Sequence, residues 1–210
     1  MTEETARTIA FYDRHAEAFR AGTWDHDVTQ NYAALFDAIA APAPWHLLDF
    51  GCGPGRDLIH FRNQGHDAIG LEGSARLAEM ARRDSGAEIW VQDFVCLALP
   101  AERFDGVFAN ASLFHVPREA INETLTAIRG ALKPSGVLFC SNPRGNDEEG
   151  YVEGRFGVFY RDETWLELVG TAGFRLIRQY YRPPSRPRHR QPWFATVWCR
   201  PEDDDPAGYC

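Results

Sequence analysis

The chain has 210 residues, 44% hydrophobic and 25% charged, with a formal net charge of −8, which suits one soluble domain with a full core. The acidic balance argues against a nucleic-acid partner held by general electrostatics, no apolar run reaches the length of a membrane span, and the polar N-terminus has no signal-peptide core. Five scattered cysteines, none in a C-x-x-C pair, argue against a disulfide framework or a metal site and for a reducing, cytoplasmic setting.

Residues Glu3 to Arg20 read as a helix with Ile9, Tyr12, Ala16 and Phe19 on one stripe, stopped by Gly22. A polar-aromatic loop, Trp24 to Asp27, leads to a second helix from about Val28 to Ala41, with Asp27 as its cap and Pro42 and Pro44 as its stop. The aromatics here read either as core packing or as a lid in which Phe11, Tyr12 or Trp24 covers a ligand. An aromatic face near a cation would be attractive.

Trp45 to Phe50 is a short apolar run for a buried strand. Glycine follows at 51, 53 and 55, and a helical pattern resumes at Leu58, Ile59 and Phe61. Strand, glycine-rich turn and helix N-terminus stand in the order of a nucleotide site. Glycine allows positive φ and close approach of a ligand, and the helix start adds unpaired N–H groups. A dinucleotide fingerprint needs glycine where Arg56 stands, which weighs against a nicotinamide-dependent reductase.

Asp67 to Leu71 reads as a second strand ending at Glu72, and Ser74 caps the next helix, with Leu77, Met80 and Ala81 inward. Glu88 to Val91 is a third strand running into Asp93 and Phe94. Phe104 to Asn110 is a fourth, continuing into Ala111–Pro117. Pro117 is expected at the first position of a helix carrying Ile121, Leu125, Ile128 and Leu132. Lys133 to Gly136 turns into a fifth strand, Val137 to Ser141. Residues Asn142 to Tyr160 are too polar and glycine-rich for a regular element, so they read as an ordered functional loop. Asp162 is expected to cap a helix with Trp165, Leu168, Val169 and Ala172 inward. Phe174 to Tyr181 and Trp193 to Cys199 read as closing strands. Between them, Arg182 to Pro192 holds four arginines and four prolines, either a solvated hairpin loop or an arch that supplies a cation. Pro201 to Cys210 reads as a disordered acidic tail. Alternating strands and helices imply a parallel sheet.

The run Asp49-x-Gly51-x-Gly53-x-Gly55, with acids closing the next two strands, resembles motif I and its sequel in class I S-adenosylmethionine methyltransferases. The resemblance covers residues 1 to 200 as one domain. It implies a Rossmann-like α/β fold: seven mostly parallel strands with an antiparallel last strand, helices on both faces, a helical cap over 1–41 and an insertion over 142–160. It implies S-adenosylmethionine as cofactor and S-adenosylhomocysteine as product. The cofactor would be held by Asp49, Gly51, Cys52, Gly53 and Gly55, by Glu72 and Gly73 at the ribose, by Asp93 and Phe94 at the adenine, and by Asn110 at the methionine end.

Methyl transfer needs alignment and exclusion of water, and a base only for a protonated acceptor. His115 and Tyr160 are the candidate catalytic groups, although His115 would equally serve to order its loop. Tyr12, Trp24, Phe114, Asn142, Arg144, Phe159 and Tyr181 are the candidate acceptor contacts. Arg144 or Arg155 would grip a small, flat, carboxylate-bearing acceptor bidentately, or pair instead with surface acids such as Asp147 or Glu153. The segments ASLFHVP, NPRG…EEG…GRFGVFY and YYRPPSRPRHRQPWFATVW resemble small bacterial methyltransferases. Some of these are similar to the methyltransferase domain of ovothiol-type synthases, which implies an imidazole nitrogen of a thio- or selenohistidine as acceptor. Another small carboxylate, thiol or amine is the alternative. An RNA-binding module using Arg182–Arg190 is the rival from another class. A monomer or homodimer without membrane or nucleic-acid partners is expected.

Overall fold

The computed structural model describes residues 1–202; the acidic tail lies outside the described residues from 203 onward. In chain order the elements are α1 (Glu3–Thr23), α2 (Thr29–Phe36), β1 (His46–Phe50), α3 (Arg56–Asn63), β2 (Asp67–Glu72), α4 (Ala75–Ser85), β3 (Ile89–Val91) and β4 (Phe104–Asn110). After a short 3₁₀ turn come α5 (Ile121–Ala131), β5 (Leu132–Pro143), β6 (Glu148–Val152), β7 (Arg155–Phe159), α6 (Asp162–Thr171), β8 (Arg175–Arg182) and β9 (Trp193–Cys199). One sheet has the order β3-β2-β1-β4-β5-β9-β8. Its first five strands pair in parallel, and β9 runs antiparallel to both neighbours. This is the doubly wound arrangement expected from the sequence.

β1 lies inside the sheet with Leu47, Leu48 and Phe50 fully buried, as a parallel strand covered on both faces requires. Two apolar layers flank it. On one side Ile121, Leu125, Ile128, Trp165 and Val169 of α5 and α6 pack onto the strands. On the other, Leu35, Leu58, Phe61, Ala78 and Ala81 of α2, α3 and α4 do so. Ser74 caps α4 through Leu77 N–H at 3.1 Å, as its sequence position predicts. α1 lies outside the sheet, packed on α4 through Ala16, Leu77 and Met80. Among the described residues no helix is long and apolar enough to cross a membrane.

Several boundaries differ from the sequence reading. α2 stops at Phe36 rather than near Ala41. Asp27 accepts from Thr29 N at 3.0 Å, but Val28 holds the N-cap position of α2. α5 begins at Ile121, four residues past Pro117, because residues 118–120 form a turn first. Asp162 is the first residue of α6, behind Arg161 as N-cap, and its carboxylate is taken by Arg144 and Arg188. Residues 142–160 are not a loop: β6 and β7 pair as an antiparallel hairpin. Its two-residue connection, Glu153 and Gly154, takes positive φ at both positions, the geometry of a tight hairpin turn. Within Arg155–Phe159, Phe156 and Val158 sit two apart on one face of β7 and reach the core, an inward face that the segment's overall polarity conceals.

Candidate active site

β1, β2 and β4 end at one edge of the sheet, and the strand order reverses between β1 and β4, the place where open α/β sheets hold ligands. After β1 the chain turns through Gly51, Gly53 and Gly55 at φ 79°, 54° and 92°. Gly51 and Cys52 donate their amides to the Leu71 carbonyl at 2.8 and 3.1 Å, which presses the turn against β2. A Cβ on Gly51 would collide with the Ser112 side chain and lie 3.3 Å from Phe94. Glycine here keeps the backbone open to a neighbour that any side chain would block.

Glu72 closes β2 and anchors this turn. Its Oε2 accepts from Gly53 N at 2.8 Å and its Oε1 from Ser74 N at 2.9 Å. Burial raises its pKa, and the backbone donors of Ser74 and Gly53 oppose that rise. A carboxylate oxygen has more than one acceptor position, so Glu72 can take a further donor. A narrow cavity opens beside it, lined by Gly51, Gly53, Glu72, Gly73, Asp93 and Phe94, with Thr5, Ile9 and Tyr12 of α1 forming its outer wall. Asp93 accepts from Thr5 Oγ1 at 2.9 Å and from Val95 N at 3.2 Å, and Phe94 packs on Phe50 with ring centroids 4.6 Å apart.

A larger cavity of about 650 Å³ adjoins the first and shares Tyr12, Phe19, Gly51, Gly53 and Ala111 with it. Cys52, Asn110, Trp24 and Phe114 line it, together with Arg56, Arg155, Arg182 and Arg186. Asn110 is held by Asn31, whose Nδ2 donates to Asn110 Oδ1 at 3.0 Å, and Asn31 in turn accepts from Tyr180 at 2.9 Å. Arg182, Pro183 and Arg186 border this cavity from the arch between β8 and β9, while Pro184, Ser185 and Arg186 are exposed, so the segment both edges the site and faces solvent.

At the junction of the two cavities, Tyr12 Oη lies 2.9 Å from His115 Nε2, and His115 Nδ1 lies 2.6 Å from the Phe156 carbonyl. A carbonyl only accepts, so Nδ1 carries the hydrogen and Nε2 accepts the Tyr12 O–H. Burial drives the His115 pKa down to about 4, with Arg155 adding repulsion. The imidazole is neutral at pH 7. Burial also raises the Tyr12 pKa.

Other expected site residues stand elsewhere. Asp49 is 1% exposed and lines neither cavity; burial and nearby Asp57 hold its carboxyl well above the usual range. Gly55 also lines neither. It is the N-cap of α3, and a Cβ there would meet the Ala81 backbone of α4 at 2.9 Å, so its task is helix packing. Tyr160 is buried against Trp165, with ring centroids 5.8 Å apart, and does not face the cavities. Arg144 donates to Asp162 at 3.0 Å and to the Gln191 carbonyl at 3.1 Å, tying the arch down from outside. Tyr181 stacks on Phe194 and is covered by Arg188. Asn142 and Phe159 are absent from the lining as well. β5 runs on to Pro143 and so carries Asn142 and Arg144 away from the cavities.

Sequence reasoning missed Thr5, Thr8, Ser112 and Arg56. Thr5, Thr8, Ile9 and Tyr12 follow the i, i+3, i+4, i+7 rule, so counting threonines on the α1 stripe would have found the wall.

A family model described as a methyltransferase domain matches residues 24–180. The ubiquinone biosynthesis O-methyltransferase of Cereibacter sphaeroides (strain ATCC 17029 / ATH 2.4.9) is 35% identical over 128 residues, 57% of this chain and 51% of that protein. The trans-aconitate 2-methyltransferase of Paracidovorax citrulli (strain AAC00-1) is 34% identical over 143 residues, 66% of this chain and 53% of that one. The chain spans about half the length of these curated relatives. Burkholderia thailandensis 1,6-didemethyltoxoflavin-N1-methyltransferase, solved with 1,6-didemethyltoxoflavin and S-adenosylhomocysteine, superposes with a TM-score of 0.78 at 21% identity, covering 95% of this chain and 90% of that one. That likeness is one of fold.

Proposed function

The chain belongs to the methyltransferase-domain family, in the class I S-adenosylmethionine-dependent group, and from that premise we propose that it transfers a methyl group from S-adenosylmethionine to a small molecule seated in the larger cavity. The observation that carries this reading is the shared wall of the two cavities, where Gly51, Gly53 and Tyr12 border both. One cavity then suits a nucleoside and the other an acceptor, with the reacting atoms meeting between them.

The residues present fit the cofactor. Gly51 presents bare backbone to the smaller cavity, because the Ser112 side chain leaves no room for a Cβ. Glu72 retains acceptor capacity for ribose hydroxyls, and Asp93 for an adenine amino group. Asn110 and Cys52 border the larger cavity, on the side expected for the methionine end. When bound, S-adenosylmethionine supplies a methyl group already activated on a sulfonium. The protein's tasks are alignment and exclusion of water.

His115 is a weak base in this setting, because its imidazolium would be buried beside Arg155. Its role in this reading is to hold Tyr12 at the junction. Such a site suits an acceptor atom that is nucleophilic at neutral pH without prior loss of a proton. The thiohistidine reading came from the resemblance of three segments and agreed with a carboxylate clamp at Arg144; Arg144 is engaged outside the cavities, and the relatives named above are not named for such a substrate.

Titration calorimetry with S-adenosylhomocysteine, followed by product release across a panel of carboxylic acids, phenols, thiols and thiohistidines, tests the proposal. Heat with the nucleoside and turnover with at least one panel member are expected. A folded protein that gives no heat, or that binds NADH instead, would refute it.

A further inference from the structure

Four arginines, Arg56, Arg155, Arg182 and the exposed Arg186, line the larger cavity of a chain of formal net charge −8. Two carboxylates, Asp27 and Asp57, share its wall. Asp57 is occupied by Arg56 at 2.7 and 3.1 Å and by the Tyr32 hydroxyl, and Arg56 also donates to the Thr23 carbonyl at 2.9 Å. Asp27 accepts from Thr29 N and Oγ1 at 3.0 and 2.6 Å and attracts Arg182 only across space.

The other cations are not settled in this way. Arg155 reaches Glu153 at 2.9 Å, but that carboxylate is 78% exposed, and exposed pairs contribute little in water. Arg182 and Arg186 form no ion pair among the described residues. Arg182 has a single long hydrogen bond, 3.5 Å to Ser141 Oγ, and the residue is half-buried. Burial there disfavours the charged form. A cation held out of water without a carboxylate is costly, and an incoming anion removes that cost.

Resting on the methyl-transfer reading above, we propose that the acceptor is a carboxylate-bearing anion, gripped by Arg182 together with Arg155 and Arg186 beneath the arch. The planar guanidinium fork of Arg182 matches a carboxylate bidentately. Trp24, Phe114 and Trp193 line the same cavity and offer apolar faces to the carbon frame. The clamp thus comes from β7 and the arch, not from Arg144 at the end of β5.

The test titrates protein saturated with S-adenosylhomocysteine, using 4-hydroxybenzoate and citrate against neutral 4-hydroxybenzamide. At least one carboxylate is expected to bind, with the amide weaker by about tenfold or more. Arg182→Gln is expected to weaken that carboxylate by at least about tenfold, and Arg182→Lys by less. Both variants should keep S-adenosylhomocysteine affinity within about twofold of the parent, since a tenfold change corresponds to one lost charged hydrogen bond. Binding of neither carboxylate, equal binding of the amide, or indifference to both substitutions would overturn the proposal alone. Equal loss of S-adenosylhomocysteine affinity in Arg182→Gln would also overturn it, by assigning Arg182 to the cofactor's own carboxylate. Absence of S-adenosylhomocysteine binding in the folded parent protein would remove the methyl-transfer premise itself, a distinct failure.

Discussion

Replacing Glu72 with glutamine separates two tasks that one carboxylate performs. In the folded chain its oxygens accept from two backbone amides, Gly53 N at 2.8 Å and Ser74 N at 2.9 Å. Glutamine offers one acceptor oxygen and one NH₂ group, so whichever way the amide turns, one backbone donor faces another donor. Losing one bond to a buried charged group costs about 1.5–3 kcal/mol. For a domain of this size, each kcal/mol moves the melting temperature by about 2–4 °C, so a fall of roughly 3–12 °C is expected. The glycine turn would also lose its anchor to β2, and S-adenosylhomocysteine affinity should fall by at least about tenfold. Scanning calorimetry gives the first number and isothermal titration the second. A melting temperature within about a degree of the parent would refute the claim that Glu72 braces the turn. Unchanged nucleoside affinity beside a lowered melting temperature would leave Glu72 as a brace alone.

Three further outcomes follow from named contacts. His115 has a folded pKa near 4 against about 6.5 unfolded, so the unfolded chain binds more protons between these values; its contribution is complete above about pH 6.5 and is lost as pH falls towards 4. The gap between these two values corresponds to roughly 3 kcal/mol. Denaturant titrations from pH 7 to 4 should lose that much in the parent and clearly less in His115→Phe; parallel curves would refute the buried neutral imidazole. Tyr12→Phe removes the donor to His115 Nε2 and should lower kcat while nucleoside affinity stays within about twofold, at a cost of about 1–3 kcal/mol in stability; an unaltered kcat in a panel assay would dismiss the junction role. Gly55→Ala forces an L side chain into φ 92° and against Ala81, so a loss of roughly 2–4 kcal/mol is expected from strain and overpacking, with turnover kept in the protein that remains folded; loss of nucleoside binding at low temperature would restore Gly55 to the site.

Local chemistry determined much of this protein in advance. Buried strands read as apolar runs, and a capping serine before Leu77 marks a helix whatever it packs on. Positive φ after β1 demands glycine at Gly51 and Gly53, so the nucleotide turn, the parallel sheet and the carboxylate at Glu72 were legible residue by residue. These are short-range constraints, and the chain carries them wherever it goes.

Tertiary structure alone decided which side chains share a cavity. Arg144 and Arg155 look alike in sequence. The straight run of β5 to Pro143 carries the first outside to Asp162, whereas the turn into β7 aims the second at Tyr12. Gly55 belongs to the same glycine run as Gly51 but faces α4, because three residues of turn reverse its direction. His115 has an ordinary imidazole until Phe156, 41 positions away, takes one nitrogen, Tyr12 from the opposite direction takes the other, and burial removes the charge. Distance along the chain carries no record of such meetings; they depend on where sheet register and hairpin geometry set each backbone.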